Sequence, residues 1–524
     1  MDKNAIKKYA VWARNELIAR VTQKAQQYGI TADDIVDANA DSINGNLLTA
    51  TEKKQRQALI KKIETEGFEQ VMEEVAYTWF NRFTALRFME VNNYLPSHVR
   101  VFTNDDNEFK PQILAEAINL ELDGLDMDKV FELKDANKDE ELYKYLLIVQ
   151  CNALNDILPR MFQKIADYTE LLLPDNLLRD GSAIEQMVSC IPEIDWTEQV
   201  EIIGWLYQFY IAEPKDVLIN AKKRYKREDI PFVTQIFTPD WIVKYMVQNS
   251  LGKYWCDMYE NIDTANWDYY VGCMNPNKKI EKVQIEDIKC IDPCAGSGHI
   301  MCYLFDFLMM LYEGQGYSNT EAVSNIIKYN LWGLDLDDRA VQLSYFSIMM
   351  KARQYDRRFF TRKLQPNVYV VCNSLGVDEH VIDYFANSEE LKIEVNSLVD
   401  RLKDASELGS IIDCSDIKID MIRSRLNELS GDISLYSSFI NNDIADMLSV
   451  AVALSQKYNV VVTNPPYMNA TNMPDVLKKY VAKSYADFKG DLFSVFTKRT
   501  SEMCRENGYV GLLMAFRLFK YKSI

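Results

Sequence analysis

Long apolar runs are missing from these 524 residues. The best candidate, residues 301–311, is interrupted by Asp306, so no membrane-spanning helix is expected and no membrane partner with it. No leader peptide is expected either: Met1-Asp2-Lys3-Asn4-Ala5-Ile6-Lys7-Lys8 is charged but leads into no apolar stretch. Cations are in short supply, 59 Lys and Arg against 77 Asp and Glu for a net charge of −18. That excludes a protein that grips nucleic acid with its whole surface but leaves room for a local basic groove. Repeats and low-complexity tracts are absent, and 48% apolar with 26% charged residues excludes a disordered or fibrous chain. Ten cysteines are scattered thinly from Cys151 to Cys504, as reduced thiols in a cytoplasmic protein would be.

What is present divides the chain. At this length two domains are expected, or three. Residues 1–230 read as a helical domain: Ile60, Ile63, Phe68, Val71, Val75, Trp79, Phe83, Leu86 and Phe88 recur mostly at three- and four-residue steps, and residues 202–210 have the composition of a buried helix. A basic run, Lys222-Lys223-Arg224-Tyr225-Lys226-Arg227, precedes Pro231 and marks the boundary; a solvated face and a phosphate contact fit it equally well. From 231 to 524 short β runs at 282–291, 367–372, 458–462 and 509–514 alternate with helical stretches, the pattern of a mostly parallel sheet with crossovers. Residues 376–448 have helical spacing and read as an insertion into that sheet domain.

Two constellations carry chemistry. In Asp292-Pro293-Cys294-Ala295-Gly296-Ser297-Gly298-His299, at a strand end opening a helix, glycine at 296 and 298 allows a sharp turn and close approach of backbone to a ligand. No Lys-Ser or Lys-Thr follows, which disfavours a phosphate-cradling loop. About 40 residues later Gly333-Leu334-Asp335 puts an acid at a second strand end, where it can accept ribose hydroxyls; the pair points to a nucleoside-type cofactor. The second constellation is Asn464-Pro465-Pro466-Tyr467 after a valine-rich strand, a tetrad that average composition yields by chance in roughly one such chain in several hundred. A nucleobase amine is a poor nucleophile because its lone pair is delocalised into the ring. An amide oxygen and a backbone carbonyl held rigid by prolines can accept both N–H hydrogens and stabilise the charge that develops on nitrogen. An aromatic after the prolines can stack on a base turned out of a duplex.

At these residues the chain resembles the amino-group DNA methyltransferases that use S-adenosylmethionine, of the adenine-N6 class. More narrowly it is similar to the PglX family of bacteriophage-exclusion (BREX) defence systems, the segments 76–90 and 203–210 resembling that family's N-terminal half. The resemblance covers essentially the whole chain. It implies a Rossmann-like α/β domain after the helical one, methylation of an adenine flipped out of double-stranded DNA, and partners among other phage-defence proteins. It also implies roles: Asn464, Pro465, Pro466 and Tyr467 as the catalytic tetrad; Phe237, Thr238 and Pro239 at the cofactor's methionine end; Asp292, Pro293, Gly296 and Gly298 in the cofactor loop; Asp335 on the ribose. Asn373 stands where many relatives place an Asp that accepts the adenine amine, a task its amide oxygen could take, and Phe496 is expected against the cofactor's adenine. Relatives continue with further strands and a DNA-recognition domain, so the sheet is expected to be truncated after its fifth strand. An inactive cofactor-binding protein of the same defence system is the competing expectation.

Other readings are weaker. Cys290, Cys294, His299 and Cys302 fall within thirteen residues, but a strand end, a turn and a helix would point them apart, so no metal site is expected. A radical iron–sulfur enzyme would need a cysteine where Ser297 stands. No Pro-Asp…Glu-x-Lys nuclease constellation precedes residue 230.

Overall fold

A computed structural model describes the chain except for residues 164–167, 198, 221–222, 236, 273–279, 375–376, 430, 432–435, 438 and 515–524. Lys222 of the basic run, the Gly376 end of the expected insertion and the tail 515–524 therefore lie outside the described residues. The chain forms two compact units, Met1–Glu213 and Pro214–Ile524, so the basic run belongs to the second. No helix among the described residues is long and apolar enough to cross a membrane.

The first unit is helical, as expected. Helix α1 (Lys3–Gln27) begins at Asp2, whose carboxylate accepts the N–H groups of Asn4 and Ala5, and it buries a stripe of Ile6, Tyr9, Ala10, Ala13, Leu17 and Val21. The apolar series from Ile60 to Phe88 is not one helix. Gly67, at φ +93°, breaks it into α2 (Ala50–Glu66) and α3 (Phe68–Val91). Helix α1 packs on α3 and on α4 (Glu201–Tyr210). From Trp79 to Glu90 every residue of α3 is buried, charged ones included. Arg87 and Glu90 pair at 2.5 Å, and the second Glu90 oxygen accepts the N–H groups of Val101 and Phe102 at 2.8 Å, so these two buried charges are engaged.

The second unit is built on β1 (Cys290–Asp292), β2 (Leu331–Asp335), β3 (Asn367–Val370), β4 (Tyr458–Thr463) and β5 (Cys504–Leu512). They form one parallel sheet in the order β3-β2-β1-β4-β5, the Rossmann-like arrangement expected. The central strands β1 and β4 are buried throughout, as a sheet covered on both faces requires. Around them lie α5 (Asp240–Val247), α6 (His299–Gly314) and α7 (Asp338–Tyr355), then α8 (Glu379–Phe385), α9 (Glu389–Arg401), α10 (Ile419–Glu428) and α11 (Ala445–Ser455) between β3 and β4, and finally α12 (Asp475–Ser484) and α13 (Leu492–Met503).

Two strands differ from expectation. The run 282–291 shrinks to Cys290–Asp292, because buried Asn330 donates its amide to the carbonyls of Ile285 and Ile288, both at 2.8 Å, and these residues make a short turn of helix instead of a ladder. Strand β5 starts earlier than 509. Asn507 (φ +63°) and Gly508 sit in an irregular stretch of the β4–β5 register, and a Cβ on Gly508 would meet the Asn459 carbonyl at 2.6 Å. The segment between β3 and β4 shares one apolar core with the sheet, Leu398, Ile411 and Ile412 clustering with Ile291, Leu334 and Val461. Buried Arg499 of α13 ties it down, donating to the carbonyls of Ser410 (3.1 Å), Ile412 (2.6 Å) and Leu454 (2.7 Å).

Candidate active site

From β1 the sheet grows one way through β2 and β3, and the other way through β4 and β5. The loops leaving β1 and β4 therefore diverge at a switch point and open a crevice beyond the carboxyl ends of the strands. The carboxyl ends of β1, β2, β3 and β4, with the loops that follow them, hold four of the groups singled out from sequence: 292–298, Asp335, Asn373 and 464–467.

The glycine loop is shaped by side chains of its neighbours. Gly298 adopts φ +87°, and a Cβ there would lie 2.7 Å from Ser344 Oγ and 2.9 Å from Ser344 Cα on α7. Gly296, at φ +53°, donates its N–H to Asp335 at 2.8 Å. The other Asp335 oxygen accepts from the Asp337 N–H at 2.9 Å and the Gln235 amide at 3.4 Å. Burial raises the Asp335 carboxyl to about 6, despite these backbone donors. Asp292 is fully buried. One oxygen accepts the Cys294 N–H at 3.0 Å; the other, like the nearby Thr463 hydroxyl, makes no well-formed hydrogen bond among the described residues. Burial, with Asp335 close by, pushes the Asp292 carboxyl up to about 7. A third glycine matters as well: a Cβ on Gly333 would strike Met301 Sδ, so β2 and α6 approach as closely as they do because it is absent.

Residues 237–239 reach both loops. The Phe237 ring stacks on His299, the first residue of α6, with centroids 4.5 Å apart, and Pro239 precedes α5. Buried Thr238 accepts the Asn464 amide nitrogen on its hydroxyl at 3.1 Å, which turns the amide oxygen of Asn464 to the other side. Pro465 is buried; Pro466 and Tyr467 are half-buried. Tyr467 donates its hydroxyl to the Leu513 carbonyl at 2.8 Å, its ring lies 5.8 Å from that of Phe493, and burial raises its hydroxyl to about 12. The loop that follows is anchored where Asp491, the cap of α13, accepts the Met468 and Phe493 N–H groups. An amide oxygen, a proline carbonyl and an immobilised ring thus stand together at the end of β4.

One expectation changes in detail. The Asn373 amide oxygen does not face outward to take an amine: it accepts both the Ser406 N–H (2.8 Å) and the Ser406 hydroxyl (2.7 Å), and a backbone N–H can only donate, which fixes the orientation. The amide nitrogen is the polar atom of Asn373 turned from Ser406. Phe496 is buried in the apolar cluster shared by sheet and insertion. Residues that sequence reasoning missed are Gln235, Ser344, Ser406 and Ser410, the last donating its hydroxyl to the Pro293 carbonyl. The two from the insertion carry no local motif; only the fold brings them to the crevice.

Residues 329–524 match the model of the Eco57I restriction-modification methylase family. The adenine-specific methyltransferase PglX of Lacticaseibacillus casei (strain Zhang) is 37% identical, the alignment covering 98% of this chain and 46% of that protein. The adenine-specific methyltransferase BrxX of Escherichia coli O9:H4 (strain HS) is 35% identical over 97% of this chain and 46% of its own length. The chain spans about half the length of the curated relatives it matches. Identity at this level runs from one end of the chain to the other, on a Rossmann-like sheet with the glycine loop and the Asn-Pro-Pro-Tyr tetrad at its switch point, so over its whole length the chain is similar to the PglX-type adenine-specific methyltransferases.

Proposed function

We propose that the chain carries the cofactor-binding and catalytic part of an enzyme that methylates N6 of adenine in double-stranded DNA, working with other proteins of a phage-defence system. The observation that carries this reading is the bond from Asn464 to Thr238, which joins the Asn-Pro-Pro-Tyr tetrad to the 237–239 segment beside the glycine loop. The names of the related proteins, adenine-specific methyltransferases, support the substrate.

The residues present suit S-adenosylmethionine: a turn that excludes Cβ at Gly298, buried carboxyls at Asp292 and Asp335, and an Asp292 oxygen without a well-formed bond are the features of a cradle for a polar nucleoside. When bound, S-adenosylmethionine supplies a methyl group on a positively charged sulfur. Asp335 retains lone pairs for ribose hydroxyls beyond its backbone bonds. Phe237, Thr238 and Pro239 would lie at the methionine end. The Asn373 nitrogen would donate to a ring nitrogen of the cofactor's adenine rather than accept its amine.

For the target base, the Asn464 oxygen and Pro465 carbonyl accept the two hydrogens of the amine and favour a pyramidal nitrogen with its lone pair exposed. Thr238, by holding the Asn464 nitrogen, selects the amide orientation that does this. Tyr467, tied through its hydroxyl, offers a ring to the extruded base. Fixing the amine at near-attack distance removes much of the entropic barrier.

The test is methyl transfer from labelled S-adenosylmethionine to bacterial and phage DNA, with product nucleosides identified by mass. N6-methyladenine is expected with the wild-type chain and none with Asn464→Ala, whose cofactor affinity stays within about threefold, under about 1 kcal/mol. Turnover surviving Asn464→Ala would refute the assignment. Cofactor binding with no product from the wild type would instead support the inactive cofactor-binding protein.

A further inference from the structure

One group of cations in this acidic chain meets along the loop that follows the tetrad. Arg224 works as a peg: its Nε donates to the Met473 carbonyl at 2.8 Å and its Nη2 pairs with Asp475 at 2.6 Å, while the Tyr225 N–H reaches the Asn472 carbonyl at 3.3 Å. These contacts lay the segment 223–227 along the loop that runs from Tyr467 to α12, and half-buried Tyr225 packs on the apolar core beneath. With Arg224 holding Asp475, the flanking cations Lys223 and Arg227 are exposed, as are Lys478, Lys479 and Lys483 on α12. Lys478 and Lys479 lie close enough to act on Asp475. Residues 223–229 and 475–484 together carry seven lysines and arginines against three acids, in a chain where acids outnumber cations by 18. Such a local reversal of sign, laid along an ordered loop next to a base-binding site, has the chemistry of a surface for phosphates.

We propose that the strap 223–227 and helix α12 form a docking surface for the phosphodiester backbone of duplex DNA, positioning the strand from which the target base is turned out. The inference rests on the reading of 464–467 as the base site. It assigns a task to the basic run that its sequence alone leaves open between a solvated face and a phosphate contact. Lys223, Arg227, Lys478 and Lys479 are the residues that would meet phosphates; Arg224 positions the strap.

The experiment is fluorescence anisotropy of a labelled duplex with the full chain between about 50 and 200 mM salt, the range over which phosphate contacts are read from the slope of log affinity against log salt. In the quadruple variant Lys223→Gln, Arg227→Gln, Lys478→Gln, Lys479→Gln the slope is expected to become shallower by about two to four, close to one for each contact removed. A matched variant of exposed lysines in the first unit, Lys7→Gln, Lys8→Gln, Lys54→Gln, Lys61→Gln, carries the same change in net charge and is expected to leave the slope unaltered. Calorimetric affinity for S-adenosylmethionine should be the same in all three proteins, which separates a lost surface from a lost fold. An unchanged slope in the first variant, equal changes in both, or no duplex binding by the wild type would each overturn the proposal. Methyl transfer is scored independently: a slope change without product leaves the surface standing and removes the chemistry assigned to Asn464, and product with an unchanged slope does the reverse.

Discussion

Gly298→Ala tests how far the cofactor loop depends on one missing methyl group. Two terms add. The residue stands at φ +87°, in the left-handed region, where a Cβ costs about 1–2 kcal/mol. The new carbon would also sit 2.7 Å from Ser344 Oγ and 2.9 Å from Ser344 Cα. The hydroxyl can rotate away, but the second atom is backbone of α7, so loop or helix must shift, at about 1–3 kcal/mol for an overpacked contact. The expected destabilisation is about 2–5 kcal/mol in urea unfolding, from the sum of these terms. Because the same shift moves the Gly296 N–H from Asp335, S-adenosylmethionine affinity should fall at least tenfold, about 1.4 kcal/mol, by calorimetry. Ser344→Ala in the same chain should recover little, since Cα remains. Gly314→Ala, where a Cβ meets nothing within 4 Å, is the control and should change stability by under about 0.5 kcal/mol. If Gly298→Ala unfolds and binds as the wild type does, the steric account of the loop is wrong.

Two other perturbations probe the crevice. Burial holds the Asp292 carboxyl at about 7, so the folded chain keeps a proton that the unfolded chain, with its ordinary carboxyl near 4, has lost. The stabilisation is complete below about pH 4 and disappears as pH rises through 7, a change of the order of 4 kcal/mol. Asp335, raised to about 6, acts in the same direction. Asp292→Asn should therefore flatten the fall in stability between about pH 5 and pH 8 seen by urea titration; parallel curves for the two proteins would remove Asp292 as its source. At Asn373, Asp substitution keeps an oxygen for Ser406 but replaces the donor nitrogen by an acceptor, so cofactor affinity should weaken about tenfold, the worth of roughly one hydrogen bond. Tighter binding in Asn373→Asp would mean that the cofactor presents its amine there.

Much of the site is legible in the sequence because it is local. Gly296 and Gly298 announce a turn and prolines at 465 and 466 stop a strand, since each demands a backbone conformation that few residue types accept, while Asp335 closes one β run and Asn464 follows another. The helical character of the first unit and the alternation of the second are readable from periodicity in the same way. Where local signals mislead, a distant group intervenes: Asn330 takes the carbonyls that would have extended β1, and pairing with β4 carries β5 back through Asn507-Gly508 as an irregular stretch ahead of the run expected from 509.

Tertiary structure alone decided which atoms face the crevice. Thr238 meets Asn464 across 226 residues, Ser406 reaches back 33 residues to claim the Asn373 oxygen, and Arg224 grips Asp475 from 251 residues away. Sequence determined the order of the elements and the residue types at the strand ends, because backbone preference and apolar period are carried residue by residue. The pairings between loops were set by the packing of the sheet, which brings together side chains whose separation along the chain leaves no periodic trace.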